Sequence, residues 1–168
     1  EIRDLLVVET TIDHYPRDLL WAGAKRAGIP HAKILGIDIS EARSLPGVVA
    51  VLTRKDVPGT NRQGLVHKDQ PVLAGAKVRH RGDPVALVVA ESRDILAKAL
   101  ALIHMNLEPL PAVFDPERAL EPGAPRVHDS GNTLLQANIR SGAGEAALDD
   151  CDVMVEGDFQ VPFQEHAF

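Results

Sequence analysis

The sequence predicts an α+β, or mixed α/β, fold in which one long helix and several short ones pack on a mixed sheet. The order of the segments predicts this class, and the length and composition of the chain permit it. Short apolar segments rich in β-branched residues interleave with segments of helical periodicity. The chain has 168 residues, of which 45% are hydrophobic and 25% are charged, so it is long enough to bury a core without disulfides or metals.

The first third of the chain supplies three predicted strands, at residues 19–27, 34–39 and 48–52. Alternation of apolar residues predicts the second strand, and β-branched content predicts the third. Ser40 is the predicted N-cap of a short helix between them. The Pro46-Gly47 pair ends that helix, because proline cannot continue a helix and glycine tolerates positive φ.

The middle of the chain predicts two strands and the long helix. Residues 77–81 and 85–90 flank a Gly82-Asp83-Pro84 turn, and the second strand is so apolar that it belongs at the centre of a sheet. The long helix covers residues 93–103, with Ser92 as its N-cap.

The remaining segments alternate between strands, loops and one short helix. Residues 54–76 and 115–135 are rich in proline and glycine and are predicted loops. The other predicted elements are strands at 105–110, 136–141 and 151–163, and a short helix at 144–148.

Charge and cysteine content exclude several classes of protein. The formal net charge of −6 argues against a nucleic-acid partner, which needs clustered lysine and arginine. No apolar run reaches the roughly 18 residues that cross a bilayer. Cys151 is the single cysteine, so an internal disulfide is impossible, and a reducing, cytoplasmic location is predicted. Its neighbours Asp149, Asp150 and Asp152 disfavour a thiolate, so a structural cysteine is expected.

Short motifs give no active site. The seven histidines show no local metal-ligand spacing, although a site built from distant positions stays open. Gly142, Gly144 and Ala147 form a loose dinucleotide fingerprint, but the preceding segment is too polar for a buried strand, so a plain turn into a short helix is favoured. No catalytic or metal-binding residue is therefore predicted in this segment.

Several longer segments, taken in order, resemble one family. They include Pro30-His31-Ala32, Leu45-Pro46-Gly47-Val48-Val49, Gly82-Asp83-Pro84-Val85-Ala86, Glu108-Pro109-Leu110-Pro111-Ala112-Val113 and Gln164-Glu165-His166-Ala167. In this order and spacing they resemble the molybdopterin-binding large subunit of the xanthine dehydrogenase/aldehyde oxidase family, in its N-terminal α/β hammerhead domain. The resemblance covers about residues 16–168. Ile29 departs from it, because the family usually has serine there.

The resemblance implies a domain division and a function. Residues 1–15 would be an N-terminal arm, 16–160 the hammerhead domain, and 161–168 the start of the molybdenum-cofactor domain. Such subunits belong to molybdenum hydroxylases, which oxidise aldehydes or N-heterocycles with water as the oxygen source. In them the cofactor carries the chemistry and the protein supplies position and electrostatics. This segment would mainly brace the cofactor domain and would be inactive alone.

The resemblance also implies cofactors and partners. A molybdenum-pterin cofactor would bind downstream of this segment, with iron–sulfur clusters and FAD on partner domains or subunits of an oligomer. The nearest cofactor-binding candidates here are Gln164, Glu165 and His166, for which docking is favoured over a direct role. Two alternatives stay open: a non-catalytic assembly module that binds partner subunits, and a ligand-binding domain with the 54–76 loop as a lid.

Overall fold

The computed structural model describes residues 19–142, 144–162 and 164, apart from the side chain of Glu145. The chain divides into two compact units, residues 1–134 and residues 135–168. Each unit is described by itself.

The first unit contains six strands and two α-helices within its described residues. The strands are β1 (Trp21–Arg26), β2 (Ala32–Asp38), β3 (Val48–Leu52), β4 (Lys77–Val78), β5 (Pro84–Ala90) and β6 (His104–Pro109). The helices are α1 (Ser40–Ser44) and α2 (Arg93–Ala101), and a 3-10 turn follows at Arg118–Leu120.

The strands form two three-stranded sheets, in the orders β1-β5-β3 and β4-β2-β6. Every pairing is antiparallel. The α+β class is thus confirmed, but the prediction of a mixed sheet is wrong, because the described sheets are purely antiparallel. Each sheet brings together distant parts of the chain, as where β2 pairs with β6.

Strand β5 connects the two cores of this unit. Its side chains alternate, as in any strand. Ala86 and Val88 lie in a cluster with Ala42, Val51, Ala99 and Ile103, whereas Val85 lies in a second cluster with Ala27, Ala32, Ala74 and Val78. The prediction that this apolar strand is central is therefore confirmed. One face is buried at Ala86, Val88 and Ala90, and the other is buried at Val85 and half-buried beyond it, so apolar area is removed from water on both sides.

Helix α2 begins where the sequence predicts. The Ser92 hydroxyl accepts a hydrogen bond from the Ile95 amide at 3.3 Å, as expected of an N-cap. The helix ends at Ala101, two residues earlier than predicted, because β6 begins at His104. Its Leu96 and Leu100 side chains approach Gly23 of β1 so closely that an added Cβ there would lie 3.2 Å from Leu96.

Two local predictions are corrected. Ser40 is not an N-cap: it is the first residue of α1, and the Asp38 carboxylate accepts from its amide at 2.9 Å and its hydroxyl at 2.6 Å. The strand predicted at residues 77–81 stops at Val78. It stops there because the amides of Arg79 and His80 donate to the Asp83 carboxylate instead of to a neighbouring strand.

The second unit forms no strand among its described residues. The strands predicted at 136–141 and 151–163 are wrong for this structure, in which the one regular element described is a 3-10 turn at Gly144–Ala147. A strand needs a partner for its amides and carbonyls, and this unit provides none in its described part. Every side chain whose burial is described there is exposed.

Candidate functional site

The most elaborate polar arrangement surrounds Asp83, in the turn before β5. Its side chain is buried, with 4% of the residue exposed. One carboxylate oxygen accepts from the backbone amides of Arg79 at 2.6 Å and His80 at 3.2 Å. The other oxygen lies 2.7 Å from Nε2 of His80. Buried carboxylates are stable only when paired and hydrogen-bonded in this way.

The pair of His80 and Asp83 resembles an acid–base dyad, but its hydrogen bonds exclude that role. Nδ1 of His80 accepts from the Gly82 amide at 3.0 Å, so the ring proton lies on Nε2 and points to Asp83. Both ring nitrogens are engaged, which leaves none to take a proton from a substrate. The arrangement fixes a turn. The sequence indicated the turn from Gly82 and Pro84 but gave no signal of the carboxylate's burial.

His31 is the other buried polar residue among those that the structure describes, with 4% exposed. Its Nδ1 lies 2.5 Å from the carbonyl oxygen of Pro111, and its own carbonyl accepts from the Leu110 amide at 3.0 Å. Its Nε2 is buried without a hydrogen-bond partner among the described residues. These contacts tie the start of β2 to the segment after β6, so His31 closes the second sheet.

Two carboxylates of the described residues have a lowered pKa, and both accept hydrogen bonds within a turn. Hydrogen bonds from the side chain and backbone of Ser40 lower the pKa of Asp38. Hydrogen bonds from the backbone and side chain of Thr53 lower the pKa of Asp56. Both groups are exposed. A donor that favours the charged form lowers a carboxyl pKa, which is the opposite of what a general acid at neutral pH requires.

Two open cavities lie on the described part of the first unit. One, of about 420 Å³, is lined by residues 112–115, Arg118 and 121–125. The other, of about 540 Å³, is lined by residues 36–38 and 104–106. Neither is lined by a residue between 54 and 76, which counts against the hypothesis that this loop is the lid of a ligand site.

The candidate motifs of the second unit form no site in the described residues. The glycine-containing segment is a turn with positive φ at Gly142 and Gly144, and no buried strand precedes it among the described residues of the unit. This agrees with a plain turn and not with a dinucleotide fingerprint. Cys151 is exposed, and its thiol donates to the carbonyl of Ala147 at 3.2 Å. Among the residues described, no three His, Cys, Asp or Glu side chains are placed to hold a metal ion.

Of the three nearest cofactor candidates, one can be placed. Gln164 is exposed and lies in no helix or strand. Glu165 and His166 lie outside the described residues, as does the N-terminal arm predicted at residues 1–15.

Comparison with known proteins gives the family. Residues 12–111 match the family model for the aldehyde oxidase and xanthine dehydrogenase a/b hammerhead domain. The chain therefore belongs to this family, as its sequence motifs predict.

Two curated relatives illustrate the match. The chain is 39% identical over 151 residues to the nicotinate dehydrogenase large molybdopterin subunit of Eubacterium barkeri, covering 90% of this chain and 36% of that protein. It is 34% identical over 167 residues to the xanthine dehydrogenase molybdenum-binding subunit of Escherichia coli O157:H7, covering 93% of this chain and 22% of that protein. The chain thus spans well under half the length of these relatives.

Solved structures agree in fold. The aldehyde oxidoreductase of Desulfovibrio gigas is 35% identical, with a TM-score of 0.62 over 68% of this chain and 14% of that one. A Cu,Mo-CO dehydrogenase is 32% identical, with a TM-score of 0.65 over 86% of this chain and 18% of that one.

Proposed function

We propose that this chain is a bracing part of the large subunit of a molybdenum-dependent hydroxylase or dehydrogenase, which oxidises an aldehyde or an N-heterocycle with water as the oxygen source. The observation that carries the proposal is the family match, to relatives that are themselves named as molybdenum-binding subunits and dehydrogenases. The buried polar groups of the first unit support a bracing role, because Asp83 and His31 hold turns and sheet ends together.

The described residues do not fit the cofactor itself. They offer no cluster of metal ligands, and the helix N-terminus that follows the buried strand β5 is capped by the Ser92 hydroxyl, which accepts from the Ile95 amide. We therefore assign no step of the reaction to this segment. The cofactor, in this proposal, is held by other parts of the subunit, and iron–sulfur and flavin groups by partner domains or subunits in the cytoplasm.

The physical role proposed for the first unit is rigid support. Strand β5 belongs to the first sheet but contributes buried side chains to both cores, and α2 packs on that sheet, so the unit is held together by closely packed side chains. Support of this kind holds cofactor-binding groups of a neighbouring domain in position without contacting substrate. The division into an arm at 1–15, a hammerhead domain at 16–160 and a cofactor domain from 161 stays a prediction.

The predicted docking role of residues 164–166 can be tested in the full-length subunit. His166→Ala is compared with Gln164→Ala, which changes an exposed neighbour. Docking predicts that both variants fold and keep about one molybdenum per subunit. Loss of molybdenum in a folded His166→Ala subunit, with metal retained in Gln164→Ala, would show instead a direct role in the cofactor site.

The alternative proposal is an assembly module that binds partner subunits without supporting chemistry. The absence of a metal cluster among the described residues is compatible with it, and so is the exposed second unit. Copurification of the native gene product with stoichiometric molybdopterin would contradict this alternative. Copurification with iron–sulfur or flavin subunits but no molybdopterin would support it.

A further inference from the structure

The second unit contains a segment with the residue pattern of a half-buried strand, residues 152–161, which we name the tail segment. Its odd positions carry apolar side chains and one glycine, and its even positions carry mainly acidic or polar ones. The apolar face consists of Val153, Val155, Phe159 and Val161; the polar face consists of Asp152, Glu156, Asp158 and Gln160, with Met154 the exception. A period of two places each set on one face of a strand.

The apolar face of the tail segment has no cover. Val155 is 86% exposed and Phe159 is 89% exposed, and the other two apolar residues are 78% and 81% exposed. Within the described part of the second unit, no amide from 152 to 162 donates to a backbone carbonyl; the last such bond is from Cys151 to Leu148. A contiguous apolar strip beside unpaired backbone marks a surface that pairs with another sheet.

Charge narrows the kind of surface that the tail segment fits. Residues 135–168 hold seven of the 24 acidic residues and one of the 18 basic residues, so they carry the whole net charge of −6. Residues 1–134 consequently carry equal numbers of acidic and basic residues. A complementary surface would have an apolar strip with lysine or arginine at its rim. Two tail segments paired with each other would present like charges and would repel.

We propose that the tail segment adds as a β-strand to a sheet edge in the remainder of the same large subunit, with its apolar face on that domain's core and its acidic face toward basic rim residues. This inference rests on the proposed function. The length of the relatives supports the remainder of the subunit as the partner. The matched region covers only 36% and 22% of two of them, so most of each relative lies outside it. Covalent linkage also gives the two surfaces a high effective concentration. On this proposal the packing boundary lies before Asp152 and not at residue 160.

Hydrogen exchange measured by mass spectrometry tests the proposal without mutation. In the 168-residue chain, the amides of the tail segment should exchange within about tenfold of unstructured rates. In the full-length subunit they should be slowed at least about 100-fold. Strand β5 is the internal control, because it is buried in the first unit and should be protected in both proteins. An unprotected tail segment in the full-length subunit overturns the proposal, as does concentration-dependent protection in the 168-residue chain, which would indicate a second copy.

Paired variants of the full-length subunit test the two faces. Val155→Asp places a charge on the apolar face and should speed exchange of the tail segment at least about tenfold. Gln160→Asp adds the same charge to the polar face and should leave exchange within about twofold. Equal effects would overturn the proposed orientation. If Val155→Asp does not accumulate, the comparison of the two wild-type proteins still decides.

Molybdenum content separates this inference from the proposed function. A full-length subunit that carries molybdenum but has an unprotected tail segment contradicts the strand proposal alone. A subunit with a protected tail segment but no molybdenum contradicts the proposed function alone.

Discussion

Replacing Asp83 with alanine tests whether the buried carboxylate holds the first unit together. Asp83→Ala leaves the amides of Arg79 and His80 without their acceptor at the start of β5. Each of these part-buried donors, left unsatisfied, costs about 1–1.5 kcal/mol, at the low end of the range for buried groups. Loss of the pair with His80 adds less than about 1 kcal/mol, because 60% of the His80 side chain is exposed and water screens the pair. The free energy of unfolding should fall by roughly 3 kcal/mol.

Urea denaturation followed by circular dichroism measures this loss. With a slope of about 2 kcal/mol per M, the midpoint should fall by roughly 1.5 M. Two further variants show how much the hydrogen bonds to the amides and the pair with His80 each contribute to stability. Asp83→Asn keeps an oxygen that can accept from the amides and should cost about 1 kcal/mol, and His80→Ala should cost less than that. A loss below about 1 kcal/mol for Asp83→Ala, or a larger loss for His80→Ala than for Asp83→Ala, would contradict the stabilising role of the carboxylate.

Two further predictions concern α1 and its flanking turns. Gly47 has φ of +84°, and an added Cβ would lie 2.5 Å from Cδ1 of Ile95, so Gly47→Ala should destabilise by about 2–4 kcal/mol in urea denaturation. Gly59→Ala is the control: φ is +75° but nothing lies within 4 Å, so only about 1 kcal/mol should be lost, and equal losses would contradict the packing account. Asp38 should titrate below the ordinary pKa of 3.8, measured by NMR of its carboxyl carbon. Because its pKa is lowered on folding, its stabilising contribution is present above the unfolded pKa and is lost as the pH falls through the folded pKa; an unshifted titration would contradict the hydrogen bonds from Ser40.

Local patterns predicted the elements of the first unit because those elements are stabilised by near neighbours and by one buried face. The Ser92 cap and the apolar run of β5 are both visible in a few consecutive residues. The strand predicted at 77–81 is too long. The Asp83 carboxylate accepts a hydrogen bond from a backbone amide that a neighbouring strand would otherwise bind, and this contact is not visible in the local pattern. Pairing of β2 with β6 joins residues about 75 positions apart, and no local pattern states which strands meet, so the two-sheet arrangement was not predicted.

The second unit shows the complementary case. Its alternation of apolar and polar residues predicts a strand. A strand also needs a neighbouring strand for its backbone hydrogen bonds, which alternation does not provide. The structure leaves Val155 and Phe159 exposed and the strand unformed in the described residues. For the site, the sequence motifs indicated the family, whereas the buried roles of His31 and Asp83 depend on contacts that span many residues and could not be found locally.

Whether this chain is part of a molybdenum-containing large subunit is tested by the intact mass of the native gene product, measured together with its molybdenum content by elemental analysis. The proposal predicts a polypeptide several times the 18.1 kDa of this chain, with about one molybdenum per polypeptide. A native product of about this chain's own mass that contains no molybdenum would contradict it and would leave only a binding or assembly role.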